Sequence, residues 1–367
     1  MRVLFLNKYT ARGPSSRYRV LQFLPFLDAR GIQASVHALH DDHYLQTRYS
    51  GAGVTPVYLA RRTLSRLSTL AGASRYDLVF IQKELFPHLP GVPEGWMARR
   101  GIRYVVDLDD AIHLLYTRAG GWRGALRHKI PRILARASLV LAGNRYLEAY
   151  ARQHTDRVLY FPTVVDTARF TPAAPRDGAA SVLGWMGTPD TVKYLHAITP
   201  ALEDAARRAP LSLLVVGAEA PSLSALECRA KPWSEAGEAD DLRAMDIGLM
   251  PLSDDEWSKG KCALKLLQYM SAGVASVTSP SGSAPEFVRD GDNAFLAVGE
   301  AQWRDRVLEL ASSPAVRARM GGAARATVEA KYSLSMWGPR FADALLWAAG
   351  VESAAPVWGR EGAARRA

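Results

Sequence analysis

The chain has 367 residues, long for a single core, so two domains are expected. Hydrophobic residues at 48% and charged residues at 22% suit a soluble globular protein, and no run of about 20 apolar residues offers a membrane span. The net charge of +10 points to an anionic partner (nucleotide, lipid headgroup or nucleic acid) or to a genome that favours arginine. Cys228 and Cys262 make neither a disulfide framework nor a metal spacing. The N-terminus begins directly on a strand with no visible signal peptide, so a reducing cytoplasm is the expected setting.

Arg2 to Asn7 reads as a buried strand. Lys8 to Ser16, with Gly13 and Pro14, reads as a loop. Arg17 to Asp28 reads as one helix, with Val20, Leu21, Leu24 and Leu27 on its apolar face, ended by Gly31. Ile32 to Leu39 is a second strand. Asp77 to Gln82, Arg103 to Leu108, Ser138 to Ala142 and Val158 to Phe161 are further short apolar strands, as parallel strands are. Leu85 to Pro93 is a proline-rich loop. This order starts a doubly wound sheet, without the G-x-G-x-x-G of a dinucleotide site.

Thr171 to Ala180, T-P-A-A-P-R-D-G-A-A, is the best linker. The alternation then restarts with a strand at Ser181 to Trp185, a helix at Val192 to Arg208 and a strand at Leu211 to Val216, closed by Gly217. Ala244 to Met250 is the next strand. The stretch from Asp254 to Phe295 organises this half. It runs acidic loop, basic loop, amphipathic helix, strand and an S-G-S loop before a second helix near Ala284. Leu264, Leu266, Leu267 and Met270 line one helix face, and Gly273 ends it at a left-handed cap. Helices follow at Trp303 to Leu310, Val316 to Tyr332 and Ser335 to Ala349, then a tail rich in Gly, Ala and Arg.

Several of these residues suit chemistry. A basic loop entering a helix presents free N–H groups at Cys262, Ala263 and Leu264, with the ammonium groups of Lys261 and Lys265 one turn apart: an anion site, most simply for a diphosphate. The alternative is two surface lysines on an amphipathic helix. D-L-D-D, Asp107 to Asp110, ends a strand where open α/β sheets bind ligands, as do Gly143 and Asn144. Arg99, Arg100 and Arg103, with Trp122, Arg123, Arg127, His128 and Lys129, form a basic-aromatic patch. That patch suits an anionic leaflet or a plain solvated face, and no recognised nucleic-acid module accompanies it.

The ordered run W-M-G-T-P-D-T-V-K-Y-L, L-L-V-V-G, D-I-G-L-M-P-L, L-K-L-L-Q-Y-M-S-A-G-V-A-S-V-T-S and S-A-P-E-F-V-R-D-G-D-N-A-F-L-A resembles the donor half of family-four retaining glycosyltransferases, the glycosyl transferases group 1. The resemblance covers Ser181 to Tyr332, and Arg2 to Pro172 more loosely. It implies an α/β GT-B fold: two Rossmann-like domains facing a cleft, with a C-terminal helix crossing back to the first. Residues 1–170 are then the acceptor domain, 171–334 the nucleotide-sugar domain, 335–350 the crossover helix and 351–367 a flexible tail.

The resemblance also implies site residues. On the donor side these are Gly187, Thr188, Lys193, Gly217, Lys261, Cys262, Ala263, Leu264, Lys265 and Gln268. On the acceptor side they are Gly13, Ser15, Ser16, Arg17 and Asn144, with Arg19 beside them as a second cation. Asp109, Asp110, Lys193 and Lys265 are the catalytic candidates. No metal or other cofactor is implied. The co-substrate would be a UDP- or GDP-sugar, the acceptor a glycan, lipid-linked or small molecule. The sequence departs from the family at Gly260 and Gln268, where two glutamates are usual, and at Thr188, where an arginine is. Asp254, Asp255 and Glu256 are candidates to replace the first glutamate. Two alternatives are an epimerase or hydrolase on the same fold, and a nucleotide-sugar-binding protein without turnover.

Overall fold

A computed structural model describes residues 1–173 and 180–356. They form two compact units. The first holds Met1–Thr163, Lys259–Cys262 and the stretch from Leu334; the second holds Val164–Ser258 and Ala263–Ser333. Most of the expected linker and tail, residues 174–179 and 357–367, lies outside the described residues.

The first unit is built on six parallel strands: β1 Arg2–Asn7, β2 Gln33–Ala38, β3 Leu78–Gln82, β4 Tyr104–Leu108, β5 Leu139–Ala142 and β6 Val158–Tyr160. Their order is β2-β1-β3-β4-β5-β6. Strands β1, β3, β4 and β5 are apolar and almost wholly buried, because helices cover both faces of a parallel sheet. The winding reverses between β1 and β3, so the strand ends there, Asn7 and Gln82, open on the ligand side of such a sheet.

The second unit repeats the plan with β7 Ser181–Met186, β8 Leu211–Val216, β9 Glu227–Lys231, β10 Ile247–Met250, β11 Ala275–Thr278 and β12 Phe295–Leu296, in the order β12-β11-β10-β7-β8-β9. Its reversal lies between β7 and β10, and β7 runs directly into Gly187. Two doubly wound parallel sheets are thus the α/β architecture of a GT-B protein.

Three details differ from the sequence reading. Arg17 to Asp28 is not one helix. It breaks into Pro14–Arg19, a 3-10 turn at Leu21–Phe23 and Leu24–Asp28, because Val20 leaves helical geometry at φ −133° and Pro25 restarts the chain as a first-turn proline. Val192 to Arg208 likewise splits into Val192–His196 and Thr199–Ala206, with Pro200 in the first turn of the second piece. Strands β9 and β12 were not legible: β9, E-C-R-A-K, is a mostly exposed edge strand with no apolar alternation, and β12 has only two residues.

Helix Leu334–Ala349 belongs to the first unit. Phe341 is fully buried at its centre, with ring centroids 4.8 Å from Phe23, 5.1 Å from Phe161, 5.7 Å from Phe80 and 6.4 Å from Phe5. Phe5 and Phe80 on strands, with Phe23 and Phe161, therefore share one aromatic core with this C-terminal helix. Phe341→Ala should lower the unfolding free energy by about 3–5 kcal/mol. Urea titration with an unchanged m-value would show it, and a loss below about 1 kcal/mol would mean the helix is not part of the cooperative core.

Candidate functional site

In the second unit, the ends of β7 and β8 touch. Gly217 sits at φ +85°, its N–H donates to the Lys231 carbonyl at 2.8 Å, and a Cβ on it would strike the Gly187 carbonyl oxygen. Gly187 donates to the Val216 carbonyl at 2.9 Å. A Cβ there would lie 2.6 Å from the Lys265 ammonium and collide with the Trp185 ring. Glycine at both positions is therefore a packing requirement. Lys265 Nζ rests 4.1 Å above the centroid of the buried Trp185 ring and 3.5 Å from Thr191 Oγ1. A cation held against a ring face beside bare backbone makes Lys265 a candidate anion contact.

Lys265 lies in the first turn of Leu264–Ser271. The residue before that helix, Ala263, is left-handed at φ +51°, ψ 33°, and no side chain caps the helix. That conformation costs an alanine about 1–2 kcal/mol, a kind of strain that collects at functional sites. Thr188 is engaged differently: with Thr191 it forms a capping box at the turn Pro189–Thr191. Lys193 is exposed, its ammonium 5.1 Å from the centroid of its neighbour Tyr194.

Gln268 is buried and donates through Nε2 to Glu238 Oε1 at 3.0 Å. Trp233 Nε1 donates to the same oxygen at 3.1 Å, and Arg169 lies 3.0 Å from Oε2. Glu238 went unnoticed in the sequence because it sits in an unremarkable acidic run. The amide at Gln268 was the available clue, since a buried amide donor requires an acceptor. Trp233 Cβ would stand 3.1 Å from a Cβ at Gly217, so this polar cluster adjoins the touching glycines.

In the acidic loop the candidate Asp255 is already engaged locally. Asp255 caps the turn at Glu256–Lys259, accepting from Ser258 N at 2.7 Å and Ser253 Oγ at 2.5 Å. Burial raises its pKa, but those hydrogen bonds outweigh burial and hold it below the ordinary aspartate value. Gly260 has no space for any side chain: a Cβ would lie 2.6 Å from Ala111 Cβ and 2.7 Å from Ala111 N.

Gly260 and its neighbours belong to the first unit, and so does Lys261. Lys261 Nζ pairs with Asp110 Oδ1 at 2.8 Å, and Lys83 closes on the other oxygen of Asp110 while lying 3.2 Å from Asp109. Lys261, expected beside Lys265 on one diphosphate, thus has its ammonium engaged by Asp110. Burial opposes ionisation of Asp110, yet the two ammonium groups hold its carboxyl well below the usual range. The same carboxylates hold Lys83 charged against its own burial, above the usual lysine value.

Asn144 pins the same segment. Its Oδ1 accepts from Leu147 N at 2.8 Å, capping Arg145–Arg152, while Nδ2 donates to Lys259 O at 2.9 Å and Lys261 O at 3.3 Å. Cys262 Sγ reaches Asp109 O at 3.4 Å and lies 2.5 Å from where a Cβ on Gly143 would be. Asn144 and the Cys262 side chain thus hold this segment in place.

The other acceptor-side residues also make contacts within the first unit. Arg17 donates to Ala11 O at 2.7 Å and Arg12 O at 3.1 Å, stapling its own loop. Arg19 is buried and forks onto Asp107 while donating to Phe161 O at 2.8 Å. Asp107 is spent in that pair. Ser16 donates to Tyr9 O at 2.7 Å. Gly13 packs on Tyr9, whose Cβ would lie 2.5 Å from an added Cβ, and Ser15 is half-buried beside it. Lys129 leaves the basic patch altogether: it is buried, paired with Glu84, and donates to Phe86 O at 2.6 Å.

Residues 180–313 match the family model described as glycosyl transferases group 1. A GDP-mannose-dependent monoacylated alpha-(1-6)-phosphatidylinositol monomannoside mannosyltransferase of Corynebacterium glutamicum is 28% identical over 211 residues, 51% of this chain and 55% of that protein. The chain thus spans about half the length of that curated relative. Among solved structures, sucrose-phosphate synthase from Thermosynechococcus elongatus superposes with a TM-score of 0.71 at 14% identity, over 96% of this chain and 100% of that one. Anabaena HepE in complex with UDP-glucose gives 0.69 at 18%, over 94% and 99%. The fold is that of these solved structures, and within it residues 180–313 are the part that matches glycosyl transferases group 1.

The folded-state pKa of Asp110 lies below its unfolded value, so its stabilisation is present above the ordinary aspartate pKa near 4 and is lost as pH falls below it. Asp110→Asn should cost about 3 kcal/mol at neutral pH and flatten the stability profile below about pH 4. Unfolding followed against pH checks both. An unchanged acid limb would show that other carboxylates control it.

Proposed function

We propose that the protein transfers a sugar, with retention, from a nucleoside diphosphate sugar to an acceptor hydroxyl. One observation carries the reading: the Lys265 ammonium is fixed on Trp185 beside Gly187, in the first turn of a helix with no side-chain cap. As the glycosidic bond breaks, the departing diphosphate gains negative charge. A fixed cation and uncapped helix N–H groups stabilise that charge without reorganising. The buried Glu238–Gln268–Trp233 cluster adjoining Gly217 is the candidate wall for the nucleoside. Attack of the acceptor on the face the diphosphate leaves gives retention.

The donors named for similar proteins, GDP-mannose and UDP-glucose, support a GDP- or UDP-sugar. The relative named for a phosphatidylinositol mannoside supports a lipid-linked acceptor. Among the described residues no helix is long and apolar enough to cross a membrane. Both cysteines are free, which fits the reducing cytoplasm that the reading assumes.

Thermal shift with UDP-, GDP-, dTDP- and ADP-sugars should raise the midpoint with at least one of them. Lys265→Ala should weaken nucleoside diphosphate binding about tenfold or more, whereas Lys261→Ala should leave it within about twofold. No shift with any nucleotide would sink the reading. Sugar released at the same rate without an acceptor would favour a hydrolase, and an inverted product anomer would exclude retention.

A further inference from the structure

The helix Pro56–Ala71 is built inside out. Its inward face carries arginines. Arg66, buried, donates to Asn7 O at 2.5 Å and His37 O at 3.2 Å. Arg62 donates to Leu39 O at 2.7 Å and Ala38 O at 2.9 Å. Tyr58 donates to Asp41 Oδ1 at 2.7 Å, so strand-end carbonyls and a carboxylate consume the polar groups of this face. The outward face carries Val57, Ala60, Leu64, Leu67 and Ala71, one stripe at helical spacing. Val57 is 79% exposed, Leu64 66% and Leu67 43%. Aqueous solvent alone gives no reason to turn leucines outward and arginines inward.

On the helix itself the charge has one sign, and the nearest carboxylate, Asp41, is paired with Arg62 and Tyr58 on the inward side. From His43 to Tyr76 the chain holds five arginines, Arg48, Arg61, Arg62, Arg66 and Arg75, and no Lys, Asp or Glu. Arg61 is exposed beside the stripe, and Arg48 and Arg75 are exposed in the segments flanking the helix. A second copy of the chain is a poor occupant. In a two-fold contact the patch would face itself, setting Arg61 near its own equivalent with no carboxylate on the helix to pair it. An apolar stripe edged only by arginine matches a surface that is apolar below and anionic above.

We propose that the outward face of Pro56–Ala71 docks the protein on an anionic lipid surface, with Val57, Leu64 and Leu67 at the acyl boundary and Arg61 among headgroup phosphates. The helix lies in the plane of the surface over about 24 Å. This contact is separate from the donor site and does not rest on it.

Flotation of the full chain with vesicles tests the proposal. Phosphatidylcholine vesicles containing phosphatidylglycerol should carry the protein up the gradient; pure phosphatidylcholine should not, and added salt should release it. Arg61→Glu and the double variant Leu64→Ser, Leu67→Ser should each cut the bound fraction about tenfold. These side chains point outward, so the thermal midpoint and nucleotide affinity should match the parent, which separates failure here from failure of the transferase reading. Absence of binding to the anionic vesicles overturns the proposal, and so does equal binding by the variants. A dimer in light scattering that Leu64→Ser, Leu67→Ser dissolves would reassign the face to a second copy.

Discussion

One carboxylate between two ammonium groups organises the first unit's ligand side. Asp110 pairs with Lys83 and Lys261, and Asn144 adds two hydrogen bonds to the carbonyls of Lys259 and Lys261. Buried charges persist only when paired this closely. The pairing makes four residues, Lys259 to Cys262, part of a unit whose main body ends nearly a hundred positions earlier. The fit is close enough to forbid a side chain at Gly260 and to demand glycine at Gly143 beside Cys262. A glutamate at 260 and this tether are sterically incompatible, which gives a physical reason for glycine at that position.

Because Lys261 is committed to Asp110, the phosphate chemistry proposed for the second unit falls to Lys265 and the helix it opens. The surroundings of Lys265 are unusually determined. Trp185 lies beneath it, Gly187 leaves it room, and Gly217 must stay bare so that Gly187 can approach. Ala263 holds a left-handed conformation immediately before. Such constraints keep an ammonium in place without substrate, the condition under which electrostatic stabilisation is most effective. The Glu238 cluster shows the same economy: a single buried carboxylate meets Gln268, Trp233 and Arg169.

The first unit also shows polar side chains working where apolar ones are expected. Arg19 is fully enclosed with Asp107, and Arg66 spends its guanidinium on strand-end carbonyls. Arginine serves here because its planar fork satisfies several acceptors at once. The leucines displaced from that face of Pro56–Ala71 are what leave an apolar stripe outside.

Much of the fold was legible in the sequence. Parallel strands buried on both faces read as apolar runs, so β1, β3, β4, β5, β7, β8, β10 and β11 declared themselves, and Gly273 marked a left-handed helix end that the structure has at φ +68°. Edge strand β9 and the two-residue β12 did not, because exposure removes the pattern. The resemblance carried by five ordered segments agrees with the glycosyl transferases group 1 match over residues 180–313. What only tertiary structure decided was the use of each polar residue. Spacing set Lys261 and Lys265 as a pair, yet one is taken by Asp110 and the other by Trp185. Arg17, Arg19, Asp107, Asn144 and Cys262 looked like site residues because they sit at strand ends and loops. Their side chains are held by partners as far as 153 positions away, a separation local pattern cannot encode.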